Sequence, residues 1–192
     1  MLCSLLRHQG VPARARCGFG AYFAANHYED HWICEHWNEK EERWVMVDAQ
    51  LDTFQREKLK IKFDPLDVPN DQFLTGGKAW LMCRAGKADP DQFGIFDMHG
   101  FWFVRGDLIR DLGSLNKMEL LPWDGWGLID KDEKSITEAE MALLDQVAAI
   151  TLGDNSRFGE MQSIYENDAR LRVPTRIRSY LKTGVQTIEI KP

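Results

Sequence analysis

A chain of 192 residues with 44% hydrophobic and 28% charged residues has the size of one domain, or of one domain with an appendage, and can bury a sizeable core. Its net charge of −6 argues against a general affinity for nucleic acid or for an anionic membrane. No apolar run approaches the ~20 residues of a membrane span, and the first residues do not read as a secretory leader, so the expected location is the cytoplasm. The cysteines Cys3, Cys17, Cys34 and Cys83 are scattered with no CxxC pair, which fits reduced thiols better than a disulfide scaffold or a zinc ribbon.

Taken in chain order, Leu2-Cys3-Ser4-Leu5-Leu6-Arg7-His8 reads as the last turns of a helix ended by Gly10 and Pro12. No N-cap precedes it, and so short a helix is marginal without packing. A missing upstream segment is expected; a short terminal helix docked on the core is the alternative. Residues Ala13 to Phe23 have strand character, with Gly18 and Gly20 marking a bulge or a close backbone approach. His31 to Trp37 and Arg43 to Asp48 read as two strands joined by the polar stretch Asn38 to Glu42, a β-hairpin. Asp64-Pro65 and Val68-Pro69 mark loops, and Asn70 is expected to cap a helix from about Asp71 through Arg84, weakened at Gly76-Gly77. Helical pieces are expected around Asp89-Pro90-Asp91 and over Asp107 to Leu115, followed by a rigid aromatic loop from Leu121 to Gly127. Ser135-Ile136-Thr137-Glu138 fits a capping box. It opens a helix through about Ile150 that buries Met141, Leu144, Val147 and Ala148. A last helix around Phe158 to Arg170 leads to an extended tail, Val185 to Ile190. The division this suggests is a core over 1–63 and a mainly helical extension over 64–192 packed on it. Trp80, Trp102, Trp123 and Trp126 are expected to pack partly on the hairpin and to wall one side of a cleft.

The hairpin has a geometric consequence. A turn centred near Glu39-Lys40 makes the sum of opposed residue numbers about 79 or 80, which sets His31 opposite Asp48 or its neighbour. Directly opposed side chains share a face with Cβ atoms ~4.5–5.5 Å apart, close enough for an imidazole–carboxylate hydrogen bond. A carboxylate so placed fixes the imidazole tautomer and steadies the imidazolium, as a thiol-activating histidine requires. The plainer reading is a satisfied core histidine beside a strand-end carboxylate. Zinc ligation by His27, His31, Cys34 and His36 is a further possibility, but strand alternation sends Cys34 and His36 to the face opposite His31. Cys17 and Cys34 fit small core hydrophobes. The arginines Arg170, Arg172, Arg176 and Arg178 fit a solvated face or a local anion site.

Several blocks together resemble a known family. Leu5-Leu6-Arg7, Gly10-Val11-Pro12-Ala13-Arg14, Gly18-Phe19, Asp30-His31-Trp32 and Trp44-Val45-Met46-Val47-Asp48 are similar, in order and spacing, to the core of the transglutaminase-like superfamily, whose bacterial members carry a papain-type thiol site. The match covers roughly the first quarter of the chain. It implies an α+β fold with a papain-like core, an antiparallel sheet packed on a helix. It also implies acyl transfer at a protein or peptide amide, with His31 as base and Asp48 as its orienting acid, and it calls for no cofactor and no metal. One departure accompanies the match. In the family the nucleophilic cysteine begins the helix whose end reads Leu-Leu-Arg, and counting back places it several residues before Met1. Cys3 lies on the same helix about two turns later, ~11 Å along the axis, too far to serve His31. The chain alone is therefore expected to be inactive and the full-length protein an enzyme. A non-catalytic binding or scaffold protein that keeps the fold is the alternative.

Overall fold

The computed structural model describes residues 1–153 and 155–190. Helix α1 (Leu2–His8) buries Cys3 and no other residue, and the chain leaves it through Gly10, whose φ of +78° suits glycine. Strands β1 (Ala13–Ala24) and β2 (His27–Asn38) form a long antiparallel pair turned at Asn26, with an irregularity between Gly20 and Ala24. Strand β3 (Arg43–Val47) returns along the far half of β2, and α2 (Thr53–Leu59) follows, capped by the Asp52 carboxylate.

The helix expected to start near Asp71 starts later, because sheet pairing claims its first residues. Phe73–Thr75 is strand β4, buried throughout and hydrogen-bonded to the otherwise open edge of β1 through Gly20↔Phe73 and Gly18↔Thr75. Thr75, not Asn70, then caps α3 (Gly76–Arg84). Gly76 is no weak point: a Cβ there would lie 2.6 Å from the backbone of Asp107, so glycine permits two helices to touch. Around Asp89-Pro90-Asp91 the chain makes a single 3-10 turn, then strands β5 (Phe93–Ile95) and β6 (Met98–His99). Helix α4 (Phe101–Leu115) begins earlier than its sequence suggested, and every residue from Phe103 to Leu115 is buried. Within the aromatic loop, β7 (Asp124–Gly125) makes a short bridge to the C-terminal hairpin.

Helix α5 (Glu138–Thr151) has a capping box two residues later than expected. Thr137 Oγ1 accepts from the Glu140 N–H and Glu140 Oε2 accepts from the Thr137 N–H, while Ser135 closes a separate 3-10 turn. Helix α6 (Phe158–Asn167) stops short of Arg170. The tail is not solitary: β8 (Arg176–Leu181) pairs with β9 (Gly184–Glu189).

The main sheet is mixed, ordered β4-β1-β2-β5-β6 with β3 also on β2, and β2–β5 is its parallel pair. Strands from both sides of residue 63 share it. A second sheet runs β7-β8-β9. Helix α4 sits between the sheet, α3 and α5, and Phe19, Phe93, Phe103, Trp80, Leu108 and Leu144 fill the core around it. Such a helix must satisfy its polar side chains internally, and Asp111 does so through Arg16. Arg16 Nε and Nη2 donate to Asp111 at 2.9 and 2.8 Å, Nη1 donates to Glu35, and Nη2 also reaches the Thr151 carbonyl at 3.2 Å. One guanidinium thus ties β1 to β2, α4 and the end of α5. Among the described residues no helix is long and apolar enough to cross a membrane.

Candidate active site

The β2–β3 turn is longer than the sequence suggested, and this moves the register. Asn38 pairs with Arg43 and Cys34 with Val47, so the turn centre falls between Lys40 and Glu41. Asn38 Oδ1 accepts from the Lys40 and Glu41 N–H groups, and Glu42 takes a left-handed φ of 50° to close the loop. Continued one step, this register sets Asp48 across from Ile33, not His31. The two side chains meet on the diagonal: His31 Nε2 lies 2.8 Å from Asp48 Oδ2, with side chains 8% and 1% exposed.

Asp48 is held by more than the imidazole. Its Oδ2 also accepts from the Tyr22 hydroxyl at 2.7 Å, its Oδ1 accepts from the Gln50 N–H at 3.0 Å, and its own N–H donates to the Pro65 carbonyl. Burial works to raise the Asp48 carboxyl, but His31, Tyr22 and the Gln50 amide outweigh it and hold it below the ordinary carboxylate range. Burial and the Asp48 charge push the Tyr22 hydroxyl up, so it stays a donor. An ionised carboxylate can only accept, so Nε2 carries the hydrogen toward Asp48. In a neutral imidazole Nδ1 is then the basic lone pair. It has no hydrogen-bond partner among the described residues.

Rings of Phe23, Tyr22 and Phe73 stand edge-on to the imidazole at 4.9, 6.1 and 6.5 Å. Phe73 arrives there because Gly18, the cross-strand partner of His31, lets β4 come close: a Cβ at Gly18 would lie 2.2 Å from the Leu74 carbonyl oxygen. This is the close backbone approach expected of that glycine. No pattern in the sequence marks Tyr22 as a third partner, since it lies within the irregularity, between Gly20 and Ala24, that breaks the alternation of β1.

On its other edge β2 is paired with β5 only as far as Glu29 and with β3 only from Cys34. Residues 30–33 therefore form a notch. Beside it lies a cleft of about 500 Å³ lined by Met1, Cys3, Trp32, Cys34, Asp48 and Gln50 among others.

The remaining candidates fall elsewhere. Cys3 does not touch His31; its sulfur lies 2.9 Å from that of Cys34, on the face of β2 opposite the imidazole. The expected tryptophan wall is not formed. Trp80 is buried against Phe101 and bonded to Asp145, Trp126 is bonded to the Leu171 carbonyl, and Trp102 and Trp123 are partly exposed; none lines the cleft, where Trp32 stands. The C-terminal arginines do not converge: Arg170 binds Asp168, Arg172 the Glu166 carbonyl, and Arg178 Asp130. His27, His31, Cys34 and His36 are not gathered.

The one group of potential metal ligands among the described residues is Cys17, Asp30 and Asp107, with ligand atoms within 4.8 Å of one another. Burial pushes Asp30 up to about 6 and Asp107 well above its ordinary value. Asp30 Oδ1 and Asp107 Oδ2 are buried without a hydrogen-bond partner among the described residues, and the Asp30 charge helps to raise Asp107.

No known protein family, characterised protein or solved structure matches the chain.

Proposed function

We propose that this chain carries the base-and-acid half of a Cys-His-Asp acyl-transfer site of the transglutaminase-like, papain-type kind, with its nucleophilic cysteine on a helical segment upstream of Met1. The observation behind this reading is the buried His31–Asp48 hydrogen bond through Nε2, which leaves Nδ1 as the free base. In the proposed reaction Nδ1 takes the thiol proton and the thiolate attacks the carbonyl carbon of a protein or peptide amide. The imidazolium then gives its proton to the departing amine as the C–N bond breaks. Water or a second amine attacks the thioester with His31 again as base, which regenerates the thiol. Hydrolysis, deamidation and amine transfer share the first half of this sequence.

The upstream segment would continue α1, whose first turn borders the cleft that Asp48 and Gln50 also line. Since α1 packs on the Cys34 face of β2, a thiol would reach Nδ1 through the notch at residues 30–33. The four cysteines of the chain are buried away from the imidazole, so the chain alone is expected to be inactive.

The test compares release of ammonia or amine from peptide amides by the 192-residue chain and by a version extended into the coding sequence upstream of Met1. Activity is expected only in the extended protein, with a loss of roughly 10²–10⁴-fold in His31→Ala. An upstream sequence without cysteine, or activity indifferent to His31, would discard the reading in favour of a non-catalytic protein that keeps the fold.

A further inference from the structure

The Cys3–Cys34 contact has no part in the proposed acyl transfer. One sulfur comes from α1 and the other from the middle of β2, and they lie 2.9 Å apart in a small apolar cluster with Leu2, Leu6, Ala13 and Ala15. A disulfide bond is about 2.05 Å long, so joining the sulfurs takes under about 1 Å of closure. Both residues, though buried, also line the cleft beside Met1, the route by which a small oxidant would reach them.

We propose that Cys3 and Cys34 are a redox-active dithiol, which a peroxide or an oxidised small-molecule thiol converts to an intramolecular disulfide between α1 and β2. The two thiols are not equivalent. Their mutual hydrogen bond lowers Cys3 below the ordinary thiol range, whereas that bond and burial raise Cys34. Cys3 is the attacking thiolate and Cys34 the resolving thiol. Elsewhere in the chain burial raises Cys17 well above its usual value and Cys83 to about 11, which leaves both unreactive by comparison.

With hydrogen peroxide the steps balance. The Cys3 thiolate attacks one peroxide oxygen, the O–O bond breaks, and the departing hydroxide takes a proton to become water. Cys3 is then a sulfenic acid. The Cys34 sulfur attacks the Cys3 sulfur, the S–O bond breaks, and the hydroxyl leaves with the Cys34 proton as a second water. Two thiols have lost one electron each and the peroxide has gained both. The product pins α1 to the strand that carries His31, whether or not the acyl-transfer reading is correct.

The test exposes the native 192-residue protein to hydrogen peroxide or to oxidised glutathione and maps non-reduced peptides. The expected product is a Cys3–Cys34 crosslinked peptide, reversed by dithiothreitol, formed about tenfold or more faster than any modification of Cys17 or Cys83. A rise in melting temperature should accompany it. In Cys34→Ser the crosslink should vanish, and Cys3 should instead be captured by dimedone as the sulfenic acid or held as a glutathione adduct. Separate oxidation of Cys3 and Cys34 in the wild-type protein without a crosslink would overturn the proposal. So would modification led by Cys83, or thiols that stay inert until the protein is unfolded.

Discussion

Replacing Arg16 with methionine tests what fastens the sheet to the helices. The substitution keeps much of the side-chain volume and removes the cation that bridges Asp111, Glu35 and the Thr151 carbonyl. Summing those bonds at about 1.5–3 kcal/mol each would approach the whole stability of a typical domain, about 5–15 kcal/mol, so addition overshoots. A better bound comes from what each partner can do once the cation is gone. Glu35 still accepts from Arg14 Nε at 2.6 Å, so its charge stays compensated. Asp111 has a fully buried side chain and keeps only the Cys17 N–H at 3.1 Å. A stranded carboxylate can escape by taking up a proton, which at pH 7 costs an ordinary aspartate about 4 kcal/mol. The expected loss is therefore about 3–5 kcal/mol, in the range found when one partner of a buried ion pair is removed. Urea unfolding followed by tryptophan fluorescence measures it, and repeating it at pH 5 adds a signature. Because the escape consumes a proton, the deficit should shrink by about 1–3 kcal/mol between pH 7 and pH 5. A loss below about 1 kcal/mol, or one that does not change with pH, would mean that the guanidinium is not the fastening described here.

Other substitutions probe the site and its surroundings. Asp48→Asn leaves the imidazole and the Tyr22 hydroxyl competing for a neutral acceptor, and thermal unfolding should show a loss of about 1–3 kcal/mol; unchanged stability would show the carboxylate to be dispensable. Gly18→Ala drives a methyl group into the Leu74 carbonyl and should cost about 1–3 kcal/mol, with weakened amide protection in β4 as its local mark. Asp30 is pushed up to about 6 by burial, so between the ordinary aspartate pKa and that value the folded state binds more protons than the unfolded one. Its contribution to stability therefore falls as pH rises through that window. Asp30→Asn should accordingly be more stable than wild type at pH 8, by about 1–3 kcal/mol, with the advantage gone near pH 4; a constant difference across that range would contradict the buried acid pair.

How far the fold could be read from the sequence depended on whether each signal was local. The β2–β3 hairpin and the burial of Leu144, Val147 and Ala148 on α5 came from short periodic runs. Strand β4 did not, since Phe73-Leu74-Thr75 beside Gly76-Gly77 carries no period of its own, and only the open edge of β1 makes it a strand. Strand β8 was hidden for a related reason: it buries Ile177 and Ser179 and exposes Tyr180, so hydropathy does not alternate along it. The Arg16–Asp111 bridge spans 95 residues, and the one local sign of it is an aspartate inside an apolar helical run. Tyr22 joins Asp48 from within the irregularity of β1, where counting residues loses track of which face is which.

The candidate site itself shows which kind of counting error a hairpin argument survives. The expected sums of opposed residues, about 79 or 80, differ from the sum of 81 set by Asn38↔Arg43 and Cys34↔Val47. A sum of 80 would have put His31 and Asp48 on opposite faces, because a one-residue slip reverses every side chain. A sum of 79 makes them direct partners. The observed 81 makes them diagonal neighbours on the same face, at a Cα spacing of ~7–8 Å that an imidazole and a carboxylate can span. Parity therefore decided whether the two groups could meet, and side-chain length absorbed the rest of the error. The diagonal also has a consequence that direct opposition would lack. It lets β3 end before it covers residues 30–33 of β2, so the edge beside His31 stays open. Had Asp48 sat directly across from His31, the strand that carries the acid would have closed the side from which the proposed thiol must approach Nδ1.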